Sequence, residues 1–534
     1  MSKRRIQWLL SFVTLGVLAP FLNKAYDIDD PLFLWMAQQI RRHPFDPYGG
    51  IVHWSATAQP MWVAMQNPPL SSYYIAAVGS VAGFGEVAMH LAFLLPAIAA
   101  VLGTFTLARR LCPSPATAAL LTLFTPVFLI SATHVMCDVM MLAFWTWAIH
   151  FWLAGIERGK SHLFLIAAVL VTAATLTKYF GISLVPLLLI YTLVRERRAR
   201  AHLLYLAIPL LAVVAFELIT KALYGQALFS SAMLYLRDVA NEVRIPLQTK
   251  FLTGCSFTGG CMIGALFVFS RRSAKAISGG IASLFVVGLL FWFCVPLADG
   301  LGGNRLAVLL QGSLFATIGV ALLALAFWDF RKSPDADSLL LLLWIVGTFA
   351  FATFLNWSIT ARTILPMAPA IFILLLRRFD RPEGTRPKLS TKLCWISAAA
   401  LVSMIIAGAD ASQAGAARAG ARHFREQFAR SHTRVWFQSH WGFQWYMERW
   451  KAKPVVQNAR FRPNDVLIVP SDNADALPLP ESAVPAAEMS RPIMPFVSAF
   501  GPNTGAGFYS SVRGPVPWAI ARTAPARFQA FTFR

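Results

Sequence analysis

The chain has 534 residues, of which 57% are hydrophobic and only 13% charged, with a mean hydropathy of +0.57. A water-soluble protein of this size could not hide so much apolar surface, so lipid is the matching solvent. The formal charge of +22 sits in short Lys/Arg clusters between apolar runs; that pattern orients membrane helices and excludes nucleic acid as a partner.

A helix needs about 20 residues to cross roughly 30 Å of hydrocarbon, and apolar runs of that kind recur along the chain. The first follows Lys3-Arg4-Arg5. It resembles a signal peptide but has no small-x-small cleavage site before Pro20, so residues 7–23 are expected to form an uncleaved first span. With the basic cluster in the cytoplasm, this span delivers Tyr26 and the acidic residues after it to the outside. The next strong run, 88–108, ends at Arg109-Arg110, which belong in the cytoplasm. The run from Leu70 to Gly83 is therefore not expected to cross, and residues 24–87 form one external loop with interfacial helices.

Further spans are expected near 114–132, 139–156, 161–178, 180–194, 203–223, 251–269, 276–297, 307–328, 338–356, 361–376 and 391–408. They put Glu157 to Lys160, Arg195 to Arg200, Arg271-Arg272, Arg331-Lys332 and residues 377–390 inside. Asp138, Lys178 and the loop 224–249 then lie outside. The fold class is an all-α polytopic membrane protein with about thirteen crossings, N-terminus in and C-terminus out, in the cell (inner or plasma) membrane.

Residues 410–534 change character, being rich in Pro, Arg and Gln with no spanning run. Alanine-rich 411–430 is expected to be a helix near the membrane. Val435-Trp436-Phe437 and Val466 to Val469 read as strands, with Trp441–Trp450 as a helix between them. The expected division is a transmembrane domain, 1–409, and a small extracytoplasmic α/β domain, 410–534. The six cysteines are scattered and form no metal-type CxxC pair.

On the external side a set of polar residues collects. The acidic cluster Tyr26-Asp27-Ile28-Asp29-Asp30, ordinarily read as solvated loop carboxylates, directly follows the first span. Asp138 stands at the mouth of an apolar helix, where a carboxylate is expensive. Lys178 lies between two apolar runs with no room for a long loop, and Arg362 precedes Leu365-Pro366. Snorkelling would account for the two cations, but basic residues are less expected on the outer side. Carboxylates and cations sharing one compartment divide the work of group transfer: cations hold a phosphate, and a carboxylate takes a proton from a hydroxyl. Asn67-Pro68-Pro69-Leu70 adds a stiff extended segment that ends the loop.

In this order these features resemble the GT-C glycosyltransferase superfamily, above all its dolichyl-phosphate-mannose protein mannosyltransferases and lipid A aminoarabinose transferases. The likeness rests on Asp29-Asp30 with Phe33 and Ala37, and on Asn67-Pro68-Pro69-Leu70. It continues through Pro126, Ser131 and Asp138, through Leu176-Thr177-Lys178, and through Arg362, Leu365-Pro366 and Pro369.

The resemblance implies inverting transfer of a sugar from a polyprenyl-phosphate donor to a lipid, glycan or protein acceptor outside the cytoplasm. Asp29 matches the general base. Asp30 and Asp138 would orient the acceptor, tune Asp29 or hold a divalent metal; no other cofactor is implied. Lys178 and Arg362 would neutralise the departing lipid phosphate, and apolar grooves would hold its tail. The chain departs from the family with Asp-Asp where Asp-Glu is common, with Gln66-Asn67 before the prolines, and with Thr363 where tyrosine is usual.

Two other classes share this composition: a transporter or flippase of lipid-linked sugars, and a non-catalytic scaffold. Transporters carry mid-membrane breaks, often in repeated halves. Here the notable charges lie at helix ends and no repeat is found, which favours the enzyme.

Overall fold

The computed structural model describes residues 2–533, apart from residues 56, 197–200, 243–244, 270–273, 380–386, 429–432 and 473–476. The basic clusters expected at 195–200, 271–272 and 377–390 lie wholly or partly outside the described residues.

Six helices among the described residues are long and apolar enough to cross a membrane: Glu86–Leu111, Asp138–Arg158, Ala201–Tyr224, Asp299–Lys332, Ala336–Leu355 and Leu389–Phe428. Pro115–Leu123 and Pro126–Ala132 make a seventh if taken as one span, bent by 63°. The bend has a local cause, because Thr125 ends one helix and caps the next, its Oγ1 accepting from the Phe128 amide at 3.1 Å.

Other expected spans are shorter or interrupted. The first is a 16-residue helix, Lys3–Leu18, closed by a 3₁₀ turn at Pro20. Ser161–Thr177 has 17 residues. The run 251–269 divides into Leu247–Cys261 and Gly264–Phe269. Leu70–Ala82, not expected to cross, is a 13-residue helix, about 20 Å long at the α-helical rise.

Close packing replaces a hydrophobic drive between helices in lipid. A Cβ on Gly259 would sit 1.9 Å from the Phe315 carbonyl oxygen, and one on Gly319 would sit 2.1 Å from that of Cys255. Helices Leu247–Cys261 and Arg305–Lys332 therefore touch backbone to backbone, which only glycine permits.

Asp138–Arg158 and Ser161–Thr177 form an antiparallel hairpin turning at Gly159. At 1.5 Å per residue their lengths are about 31 and 26 Å, so the start of the first meets the end of the second. That geometry brings Asp138 and Lys178 together. At the opposite end, Arg110 and Glu157 pair at 3.0 Å.

The last helix, Leu389–Phe428, has 40 residues and no internal proline. The expected division at 409/410 falls inside it, because the alanine-rich stretch continues the helix without a break. Beyond it lies a five-stranded mixed sheet, in the order Lys453–Pro454, Val435–Phe437, Val466–Pro470, Ala526–Phe533 and Ala483–Arg491. Val435–Phe437 runs parallel to both its neighbours, while Ala526–Phe533 is antiparallel to both of its own. Phe437 and Phe528 of this sheet share one buried cluster with Phe443 and with Phe424 of the long helix.

The segment 505–518 leaves the sheet domain and docks on the membrane helices. Ala361 N–H donates to the Phe508 carbonyl at 2.8 Å, and Ser511 N–H donates to that of Ile359 at 2.8 Å.

Candidate active site

Asp29 and Asp30 are neighbours with different surroundings. Asp30 is 0% exposed and opens the helix Asp30–Arg42. Its Oδ1 accepts from Val135 N–H at 2.8 Å, and its Oδ2 contacts Asp27 N–H at 3.0 Å and His134 Nδ1 at 3.1 Å. These bonds to the charged form, with His134 and Lys24 close by, hold its carboxyl below the usual range against the opposing effect of burial. Asp29 keeps a partly exposed side chain and meets Arg362, Oδ2 to Nη2 2.6 Å. No partner is found for Asp29 Oδ1 among the described residues.

Arg362 is the second residue of the short helix Ala361–Ile364 that Thr360 caps, with Thr360 Oγ1 accepting from Thr363 N–H at 3.2 Å. Its Nη1 is 2.8 Å from Met136 Sδ and 3.9 Å from Asp138 Oδ2. Its guanidinium lies 5.6 Å from the centre of the Tyr509 ring, within cation–π reach. Its buried Nε has no hydrogen-bond acceptor among the described residues. Asp138, at a helix N-terminus, holds Lys178 Nζ at 2.5 Å, while Lys178 follows a helix C-terminus. Both charges suit the dipoles of those ends. Asp29, Arg362, Asp138 and Lys178 therefore form one alternating chain of charges.

Asn67 approaches this chain from the side. Cys137 Sγ, one residue before Asp138, is 3.8 Å from Asn67 Oδ1, and the Asn67 carbonyl accepts from Tyr48 Oη at 2.7 Å. Pro68 is buried, and Pro69 precedes the helix Leu70–Ala82. Beside Lys178, an apolar cavity of about 320 Å³ is lined by Tyr179, Phe180, Trp145, Trp344, Gly347 and Phe351, among others.

A second polar cluster lies behind the first, built of residues the sequence reading did not select. Lys24 is 4% exposed, and its three protons have three partners: Asp410 Oδ2 at 2.5 Å, His134 Nε2 at 2.8 Å and Thr133 Oγ1 at 3.2 Å. Tyr509 Oη donates to Asp410 Oδ1 at 2.7 Å and lies 2.5 Å from His134 Nε2. This cluster ties the first loop, the bend before Asp138, the last helix and the docked segment 505–518 into one unit. The available signal was Asp410, an acid directly after the apolar stretch 391–408, which needs a buried partner.

No group of three His, Cys, Asp or Glu side chains among the described residues is arranged to hold a metal ion. Asp30 and Asp138, the expected holders of a divalent metal, are bonded here to the Val135 and Asp27 amides and His134, and to Lys178, respectively. His53 contributes only its backbone here, accepting from Gln444 Nε2 at 3.0 Å.

Residues 66–220 match the model of the family described as dolichyl-phosphate-mannose-protein mannosyltransferase. The resemblance is to the GT-C glycosyltransferases. The matched segment contains Asn67-Pro68-Pro69, Asp138 and Lys178. Among curated proteins no sequence match is found.

Solved structures similar to the chain include the Archaeoglobus fulgidus oligosaccharyltransferase tethered with an acceptor peptide, at TM-score 0.49 and 14% identity over 85% of this chain. The chain spans 64% of that protein's length. The oligosaccharyltransferase AglB of that organism, in complex with an inhibitory peptide and a dolichol-phosphate, gives TM-score 0.47 at 14% identity, covering 85% of this chain and 64% of the other. ArnT from Cupriavidus metallidurans bound to undecaprenyl phosphate gives TM-score 0.39 at 15% identity, covering 88% of this chain and 94% of the other.

Proposed function

We propose that the chain is a membrane glycosyltransferase that moves a sugar, with inversion, from a polyprenyl-phosphate carrier to an acceptor on the extracytoplasmic side. The observation that carries this reading is the charge chain Asp29–Arg362–Asp138–Lys178 with its uncommitted atoms. Among the described residues, the Arg362 Nε–H has no acceptor and one of the three Lys178 ammonium protons has a partner. A lipid phosphate between them would collect these donors where negative charge builds as the carrier leaves. Asp29 Oδ1 would take the proton of the incoming hydroxyl, which is a poor nucleophile while neutral. Asp138 would hold both cations in register, and Asp30 would hold Asp29 in place through the loop it ties down.

The apolar cavity beside Lys178 is the right chemistry for the first isoprenyl units of the carrier. Fixing the tail fixes the headgroup and lowers the entropic part of the barrier. Lipid, glycan and protein remain open as acceptors. Residues 1–409 would be the catalytic unit, crossing the membrane about thirteen times with the N-terminus inside. Residues 410–534 would then be an extracytoplasmic domain that completes the site through Tyr509.

The test is transfer from a panel of polyprenyl-phosphate sugars in membranes, with wild type beside Lys178→Met and Arg362→Ala. Loss of transfer in both variants, with normal insertion, supports the reading. Transfer that survives loss of both cations refutes it.

A further inference from the structure

A cavity of about 240 Å³ opens between the first external loop, the long helix and the sheet domain, lined in part by Asp27, His440, Trp441, Asp472, Phe500 and Asn503. Asp27, which lines it, stands two residues before Asp29 of the charge chain, their Cα atoms no more than about 7 Å apart. Apart from the Asp27 amide, which donates to Asp30 Oδ2 at 3.0 Å, the residues named here take no part in the transfer chemistry proposed above.

Its walls are held in costly conformations. Ile28 and Trp441 both line it, and both have left-handed backbone angles, φ +48° and +61°. A β-branched or bulky residue there is strained, and such strain persists where surrounding structure imposes it, often at ligand sites. The imposing contact is visible at Gly442, where a Cβ would lie 1.9 Å from the Tyr26 carbonyl oxygen and 3.1 Å from Asp27 Cα. The turn into the helix Trp441–Arg449 is thus pressed onto residues 26–27. The Trp441 ring is fixed further by the guanidinium of Arg513, 5.5 Å from its centre, and Arg513 also pairs with Asp472 at 3.4 Å. His440 is 9% exposed and packs its ring 5.9 Å from that of Trp54.

The cavity therefore offers a rigid aromatic wall of Trp441 and Phe500 facing carboxylate and amide groups. A pyranose matches this pair of surfaces, since its face is apolar C–H and its rim is hydroxyl. Aromatic side chains give large contact area at fixed geometry, and carboxylates make strong hydrogen bonds to hydroxyls. The volume lies below the 300–1,000 Å³ or so typical of drug-sized ligands, enough for a sugar ring rather than an extended peptide. Asp27, which burial and then Asp410 push up to about 7, is partly protonated at neutral pH and can donate as well as accept.

We propose that this cavity binds a sugar ring of a glycan acceptor, presenting its hydroxyl toward Asp29. Its description as an acceptor site rests on the transferase reading; the binding of a sugar does not.

The test is saturation-transfer NMR on the full chain in lipid nanodiscs without donor, using cellobiose, chitobiose and a Ser/Thr-rich peptide as probes. The proposal predicts saturation of one of the disaccharides by wild type and by Asp29→Asn. It predicts affinity weakened about tenfold or more in Trp441→Ala, the scale of a desolvated aromatic anchor. Asp472→Asn should weaken it too, and Trp441→Phe should partly restore it. Equal binding by Trp441→Ala, saturation of the peptide in place of the sugars, or no saturation of either sugar would overturn it. Disaccharide binding that depends on Trp441, in a protein that transfers nothing, would sink the transferase reading and leave the sugar site standing.

Discussion

Asp29 and Arg362 lie 333 residues apart in the chain, yet Oδ2 of the first and Nη2 of the second are 2.6 Å apart. The same guanidinium reaches toward Asp138 and lies against Tyr509. Such a fork needs arginine, because an ammonium is a point charge and cannot hold two carboxylates in fixed directions. Arg362→Lys is expected to insert and fold normally but to lose transfer by ~10²-fold or more, the scale of removing a preorganised charge contact. Initial rates with a fixed polyprenyl-phosphate sugar would check this.

Lys24 and Asp410 are both nearly fully buried, and each leaves an uncompensated charge when its partner is removed. Lys24→Met or Asp410→Leu alone should cost about 3–5 kcal/mol of stability. The double variant is expected to recover part of that loss. Thermal unfolding in detergent, run as a double-mutant cycle, gives the coupling directly.

Asp27 provides a pH signature. Its folded pKa is raised from 3.8 to about 7 by burial and by Asp410. Its contribution to stability is therefore fully present below pH 4 or so and is lost as pH rises toward 7. Asp27→Asn cannot ionise, so its melting temperature should gain on wild type between about pH 4 and 7 and keep a constant lead above that. Parallel melting curves across this range would contradict the assigned surroundings of Asp27.

Gly347 lines the apolar cavity beside Lys178, and a Cβ there would meet nothing within 4 Å. Gly347→Leu projects a branched side chain into that space, its Cβ meeting no atom within 4 Å. If the cavity holds the carrier's tail, KM should rise several-fold for a long-chain donor and much less for a short-chain analogue, with kcat little changed.

Asp138, Lys178 and Arg362 were legible in the sequence because a charge beside hydrocarbon is expensive, and function is a common reason to keep it. Position after the first apolar run pointed to the cluster Tyr26 to Asp30 as a whole; Asp29 was singled out within it by the family resemblance. The separate surroundings of Asp29 and Asp30 were not legible, since adjacent identical residues give no hint of which one a distant His134 will bond. Lys24, His134, Asp410 and Tyr509 were missed for a related reason. Their contacts span 110 residues from Lys24 to His134, 386 from Lys24 to Asp410 and 375 from His134 to Tyr509, beyond any local pattern. Asp410 was read as the start of the outer domain, because the hydropathy falls at Gly408. Helix propensity carries through that point, so the helix continues to Phe428. The interrupted spans, such as the break after Cys261, keep an apolar composition that hydropathy alone cannot tell from a continuous helix.

The most direct measurement is transfer from polyprenyl-phosphate sugars in membranes by wild type and Asp29→Asn, over a panel of lipid, glycan and peptide acceptors. Wild type should transfer with inversion. Asp29→Asn should keep donor binding, insertion and thermal stability while losing transfer by ~10²–10⁴-fold, the range for a general base. Equal transfer by the two forms, or binding of the donor with no transfer by wild type to any acceptor class, would contradict the account.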